Sequence, residues 1–124
     1  MNKKFLVIGN PIKHSLSPKL HSYWIKKNNL KASYDKKLLE KDEIQQLILD
    51  VREEKIHGLN VTVPFKKMII PFLDILSEEA KNSQSVNTVY KIKDKVIGDN
   101  TDIYGFEKGL ETANQIIKNK DVLI

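Results

Sequence analysis

Phe5-Leu6-Val7-Ile8-Gly9-Asn10-Pro11 is the stretch that decides how the rest of the chain reads. Four consecutive apolar residues without alternation describe a strand buried on both faces, and the glycine and proline end it. Such strands belong to sheets covered by helices on both sides. A polar loop follows, and Ser17-Pro18 then opens a helix, with Ser17 expected as N-cap and Pro18 at the first helical position. Leu20, Tyr23 and Trp24 fall on one face of it by helical spacing.

Further along, residues 33–39 read as a second strand. Asp42, with Gln45 three positions on, has the form of a capping box before a helix striped by Ile44, Leu47, Ile48 and Val51. Gly58 to Val63 is a strand stopped by Pro64. Residues 65–83 read as short helical pieces around Pro71, with Ser77 as a cap. Val86 to Ile92 and Lys95 to Gly98 form two strands joined by a tight Lys93-Asp94 turn. A last helix is expected from about Thr101 to Ile117, with Ile103, Phe106, Leu110, Ala113 and Ile117 facing inward. This order implies an α/β fold: a three-layer sandwich, with a mostly parallel sheet and helices on both faces. Residues 1–117 are expected to form one domain. Residues 118–124 then supply a polar linker and the opening strand, Asp121 to Ile124, of a second α/β domain.

Composition removes several function classes. The chain has no cysteine, so disulfides and thiolate metal sites are excluded, and His14, His21 and His57 lack metal-ligand spacing. No metal is expected. No run approaches the ~18 apolar residues of a membrane span, and the N-terminal run is too short for a signal peptide, so a cytoplasmic protein is expected. The net charge of +5 raises the question of nucleic acid. However, the only arginine is Arg52, whereas base readout favours arginine and strand-tracking grooves add aromatics. A solvated lysine surface is the better reading, and neither nucleic acid nor membrane is expected as a partner.

Four polar clusters fall at strand ends or helix starts, where open α/β sheets bind ligands. In Gly9-Asn10-Pro11-Ile12-Lys13-His14-Ser15-Leu16-Ser17-Pro18, two hydroxyls precede a helix N-terminus that favours an anion. Capping alone would account for Ser17, but not for Ser15. In Asn60-Val61-Thr62-Val63-Pro64-Phe65-Lys66, alternation puts Asn60 and Thr62 on one face, and Lys66 follows the strand end closely. Ser85-Val86-Asn87-Thr88 sets an amide into a strand, and Gly98-Asp99-Asn100-Thr101-Asp102 puts a carboxylate in the first turn of the last helix. Hydroxyls, amides, one lysine and one aspartate suit a small polyhydroxylated carboxylate and proton transfer at an oxygen.

In order and spacing these motifs resemble the shikimate dehydrogenases, and the likeness runs along the whole chain. The resemblance implies NADP-dependent, reversible reduction of 3-dehydroshikimate to shikimate in aromatic amino-acid biosynthesis. It implies that Ser15 and Ser17 hold the substrate carboxylate, that Asn60, Thr62 and Asn87 bind ring hydroxyls, and that Lys66 and Asp102 form the catalytic pair. Glu78 corresponds to a position near the cofactor. NADP itself would be held mainly by a further domain, so this chain is read as the substrate-binding lobe, inactive alone, of a parent expected as a homodimer. Two other readings remain: a quinate/shikimate dehydrogenase-like paralogue, with its cofactor choice made elsewhere, and a stand-alone module binding a hydroxy acid.

Overall fold

The computed structural model of the chain describes residues 2–112. Its elements run β1 (Lys3–Gly9), α1 (Ser17–Lys27), β2 (Ala32–Leu38), α2 (Ile44–Arg52), β3 (Gly58–Val61), α3 (Phe65–Met68), β4 (Ile75–Leu76), α4 (Glu78–Ser83), β5 (Thr88–Ile92), β6 (Lys95–Asp99) and α5 (Asp102–Thr112). Six strands form one sheet in the order β2-β1-β3-β5-β6-β4. The β1/β2, β1/β3 and β4/β6 pairs are parallel, while β3/β5 and β5/β6 are antiparallel. Five strands therefore point one way and β5 alone is reversed, which is the mostly parallel sheet expected.

The apolar run at the start is buried on both faces. Leu6 and Ile8 join the main core, whereas Val7 turns to the opposite face with Ile12 and Tyr34. The main core packs α2, α3 and α4 on the sheet through Ile44, Leu47, Ile48, Val51, Phe65 and Ala80. Burying each larger apolar side chain stabilises by roughly 1.5–3 kcal/mol, against about 1 kcal/mol for a helix cap. A nine-residue helix such as α2 is therefore held by its stripe, as its sequence implies.

The capping expected at Asp42 and Gln45 lies elsewhere. Glu40 and Glu43 form the capping box around a single 3₁₀ turn, Lys41–Glu43, and α2 starts at Ile44. At α1, Ser17 is the first helical residue and Leu16 precedes it as N-cap with no side-chain bond, so Ser17 does not cap. Nor do Leu20, Tyr23 and Trp24 pack inward, being 48%, 59% and 46% exposed. The face turned to the sheet carries His21 and Ile25 instead, one position round the helix, or about 100°. Strand β3 ends at Val61, and Val63 is exposed. The two-residue strand β4 was unforeseen, being too short to show a period. Ser77 does cap α4, accepting from the Ala80 N–H at 3.2 Å. Helix α5 buries none of its described residues: Ile103 and Phe106 are exposed, and Ala113, Ile117 and the strand expected at 121–124 lie outside the described residues.

One clasp closes the main core at its edge. Arg52, at the end of α2, donates twice to Asp74, at 2.7 and 3.3 Å, and Asp74 also accepts from the Val96 N–H at 2.8 Å. The Arg52 guanidinium, followed by that amide, holds the Asp74 carboxyl below the usual carboxylate range. The unfolded chain thus binds the proton more readily, and the clasp stabilises above the unfolded value near ~3.9 and fades as pH falls through the lower folded value. Asp74→Asn should lower the melting temperature at pH 7, with the gap to the parent narrowing in melts taken toward pH 2–3. A gap independent of pH would show that the carboxylate's charge is not what matters.

Candidate active site at the carboxyl edge of the sheet

Because β5 runs against its neighbours, its first residue lies at the same edge as the last residues of β1, β3 and β6. Register does the rest: Asn60 of β3 sits opposite Thr88 of β5, and Thr88 opposite Asp99 of β6. The four polar clusters, spread from residue 9 to residue 102, meet along this edge.

The loops after β1 and β3 touch closely. A Cβ on Gly9 would stand 2.5 Å from the Thr62 methyl and 3.2 Å from the Val63 carbonyl oxygen, so glycine is required there. A cavity of about 260 Å³ opens beside them, lined by Val7, Ile12, His14, Ser15, Ser17 and Thr62 among others. This brings the two serines and Thr62 to one concavity. Ser15 also has the local role the sequence did not suggest, since its Oγ accepts from the Ser17 N–H at 3.3 Å. That bond uses a lone pair and leaves the Ser15 proton available to donate.

A chain of amides and hydroxyls continues along the edge. Tyr34 donates to Asn60 Oδ1 at 2.7 Å, and Asn60 Nδ2 reaches the Asn87 carbonyl oxygen at 3.2 Å. Asn87 lies just before β5 and not within the strand. Its Oδ1 accepts from the Thr88 hydroxyl at 2.9 Å and from the Thr101 N–H at 3.0 Å, while its Nδ2 donates to Thr101 Oγ1 at 2.9 Å. Thr101 leads directly to Asp102.

Lys66 Nζ stands 2.7 Å from Asp102 Oδ2, uniting two residues 36 positions apart. Each is held from below. Phe65, buried in the main core, anchors α3, and the Lys66 carbonyl oxygen accepts from the Val86 N–H at 2.8 Å. On the other side Asn100, only 5% exposed, was not singled out from sequence. Its Oδ1 accepts from the Asp102 and Ile103 N–H groups at 2.8 and 3.3 Å, and its Nδ2 donates to the Ser85 carbonyl oxygen at 2.9 Å. An asparagine directly ahead of an expected helix start is a capping signal that could have found it. Tyr34 and His21, stacked at 4.2 Å, give no such local signal. Glu78 opens α4, exposed and outside this network.

The sequence matches the family described as shikimate dehydrogenase substrate binding domain over residues 7–89. The chain belongs to that family. It is 68% identical to the shikimate dehydrogenase (NADP(+)) of Pelagibacter ubique (strain HTCC1062) over 124 residues, all of this chain and 47% of that protein. Among solved structures it resembles shikimate 5-dehydrogenase from Thermus thermophilus in complex with shikimate, with TM-score 0.85 and 32% identity over 94% of this chain and 45% of that one. The enzyme from Listeria monocytogenes in complex with shikimate and NAD gives TM-score 0.87 and 31% identity over 94% and 40%. The chain spans about half the length of the curated relatives it matches. In a substrate-binding domain of this family, the convergence of the serines, the amide row and the Lys66–Asp102 pair at one edge is the candidate site. No group of three His, Asp or Glu among the described residues could hold a metal, and no described helix is long and apolar enough to cross a membrane.

Asn100 is the strut of this edge. Asn100→Ala removes the acceptor for two helix N–H groups and the donor to Ser85, and should destabilise the chain by about 1–3 kcal/mol in urea unfolding. Full stability in that variant would show that Asn100 does not support the start of α5.

Proposed function

We propose that this chain is the substrate-binding and proton-handling lobe of an NADP-dependent shikimate dehydrogenase, a cytoplasmic enzyme that interconverts 3-dehydroshikimate and shikimate. The reading rests on one observation above the others: Lys66 Nζ lies 2.7 Å from Asp102 Oδ2 at the edge where Ser15, Ser17, Thr62, Asn60 and Asn87 gather. Hydroxyl donors beside a helix start suit a carboxylate. Amides and a threonine hydroxyl, each both donor and acceptor, suit ring hydroxyls.

In this reading Ser15 and Ser17 bind the carboxylate and Asn60, Thr62 and Asn87 hold the ring. Lys66 Nζ takes the proton from the substrate oxygen on oxidation and returns it on reduction, and Asp102 fixes the direction of Nζ. The described residues do not offer a dinucleotide cradle. Gly105 and Gly109 lie inside α5 with open space about them, not in a turn ahead of a helix N-terminus. The nucleotide, which accepts and gives back the hydride, is therefore assigned to residues other than these, with Glu78 as the one described residue proposed to come near it. NADP is taken as that nucleotide because the Pelagibacter relative is named for it.

Two measurements on the protein expressed from its full open reading frame test the reading. Lys66→Ala should lower turnover by ~10²-fold or more with a smaller change in KM, since it removes proton transfer and little else. Near-normal turnover would exclude Lys66 from the chemistry. Ser15→Ala and Ser17→Ala each remove a donor to a charged group, so shikimate binding should weaken by roughly 1.5–3 kcal/mol. Unchanged affinity in both would remove the carboxylate assignment.

A further inference from the structure

Tyr34 has a place at this edge that none of the four motifs gives it. It stands in β2, 6% exposed, with its ring flat on His21 at 4.2 Å and 6° between planes, and its phenol donates to Asn60 Oδ1 at 2.7 Å. The direction of that bond is forced. The Asn87 carbonyl oxygen can only accept, so Asn60 turns Nδ2 toward it, at 3.2 Å. Oδ1 then faces Tyr34, and an amide oxygen also can only accept, so the phenol must donate. Burial pushes the Tyr34 phenol up to about 12, against an opposing hydrogen-bonding effect of the Ser17 hydroxyl, so the proton it must donate is retained. Burial also lowers the His21 pKa, which favours an uncharged ring beneath it. One Asn60 N–H is thus committed to Asn87. The other has only a long 3.4 Å contact, to Thr88 Oγ1, and is the one left for a ligand.

We propose that Tyr34 is a positioning residue: its phenol, seated on His21, locks the Asn60 carboxamide so that its second N–H is presented to a ring hydroxyl of the substrate. The proposal rests on the reading of this edge as a hydroxy-acid site. Three features of the geometry carry it. The bond to Asn60 is short, its direction admits one choice, and the ring is fixed by a stack that does not depend on the hydroxyl. Tyr34→Phe therefore keeps the packing and removes the phenol, leaving the Asn60 oxygen unpaired and its carboxamide held only through Nδ2, and taking the Tyr34 oxygen from beside the Ser17 hydroxyl.

The test uses the protein from its full open reading frame with two ligands: shikimate, and cyclohex-1-ene-1-carboxylate, which keeps the ring and the carboxylate but lacks every hydroxyl. Tyr34→Phe should weaken shikimate binding about 10-fold and leave the hydroxyl-free acid within about twofold of the parent. The double variant Tyr34→Phe/Asn60→Ala should bind shikimate no more weakly than Asn60→Ala alone, because Tyr34 acts through Asn60. At saturating substrate, turnover of Tyr34→Phe should change far less than KM. Equal weakening of both ligands, unchanged shikimate affinity, or additive losses in the double variant would each overturn the proposal. Should Tyr34→Phe fail to fold, His21→Ala decides, since it loosens the ring without touching the phenol: the same selective but smaller loss supports the proposal, and its absence overturns it. A parent that does not bind shikimate at all would instead bring down the reading of the site.

Discussion

With β5 running against the five other strands, the start of that strand comes to lie beside the ends of its neighbours β3 and β6. The amide row of the candidate site depends on this reversal. In a wholly parallel sheet Asn87 would sit at the far edge, the whole length of β5 away from Asn60. The antiparallel register instead aligns Asn60, Thr88 and Asp99, and the flanking residues complete a continuous row of hydrogen bonds from Tyr34 to Thr101. A slip of one residue would turn the polar groups of β3 and β5 into the main core, where Leu59, Val61 and Val89 now lie. The cost of burying those groups unpaired is what fixes the register, and so the site.

The Lys66–Asp102 pair differs in kind from the Arg52–Asp74 clasp. Arg52 holds Asp74 through two nitrogens and shares it with a backbone N–H, a rigid arrangement that ties α2 to the sheet edge. Lys66 meets Asp102 through a single contact, with side chains 34% and 52% exposed against 38% and 29% for Arg52 and Asp74, so the two pairs are told apart by their geometry. Ion pairs that open to water contribute only about 0–1 kcal/mol to folding. Stability therefore does not explain the second pair. What surrounds it is better understood as support for direction, since Phe65 fixes one partner from the core and Asn100 the other through the start of α5.

The sheet, the α2 stripe and the four site motifs were legible because each has a local cause. Unbroken apolar runs mark doubly buried strands, Ile44, Leu47, Ile48 and Val51 mark a helix face, and polar groups on one side of Asn60-Val61-Thr62 mark an edge that is not core. The misses have mostly non-local causes. Helix α1 turns His21 and not Trp24 to the sheet because Tyr34, on a separate strand, offers a flat partner for the imidazole. Asn100 looked like one more polar residue in a polar loop until the Ser85 carbonyl came within its reach. Strand β4 exists only because β6 is there to pair with it. Ser15 is the local exception, since it looked unemployed although the bond from the Ser17 N–H is only two residues away.

The two faces of the sheet are unequal, and the inequality bears on binding. Among the described residues, sixteen buried ones make up the main core, against three on the α1 face. Helix α1 buries none of its residues fully and is tied down by Ile25 and the His21–Tyr34 stack. Elements with few buried apolar contacts sit at the low end of a protein's local stability, where binding segments are commonly drawn. Ser17 begins this helix and Ser15 precedes it, so an anion held by the two serines grips the weakly anchored layer at its start. The same ligand, reaching Asn60, would touch the amide that Tyr34 holds, and Tyr34 is the residue on which α1 rests. Binding at this edge would therefore join the thin layer to the sheet at two points, through its first turn and through the stack beneath it. On that reading, the part of the fold that would gain most from the ligand is the part that the core supports least.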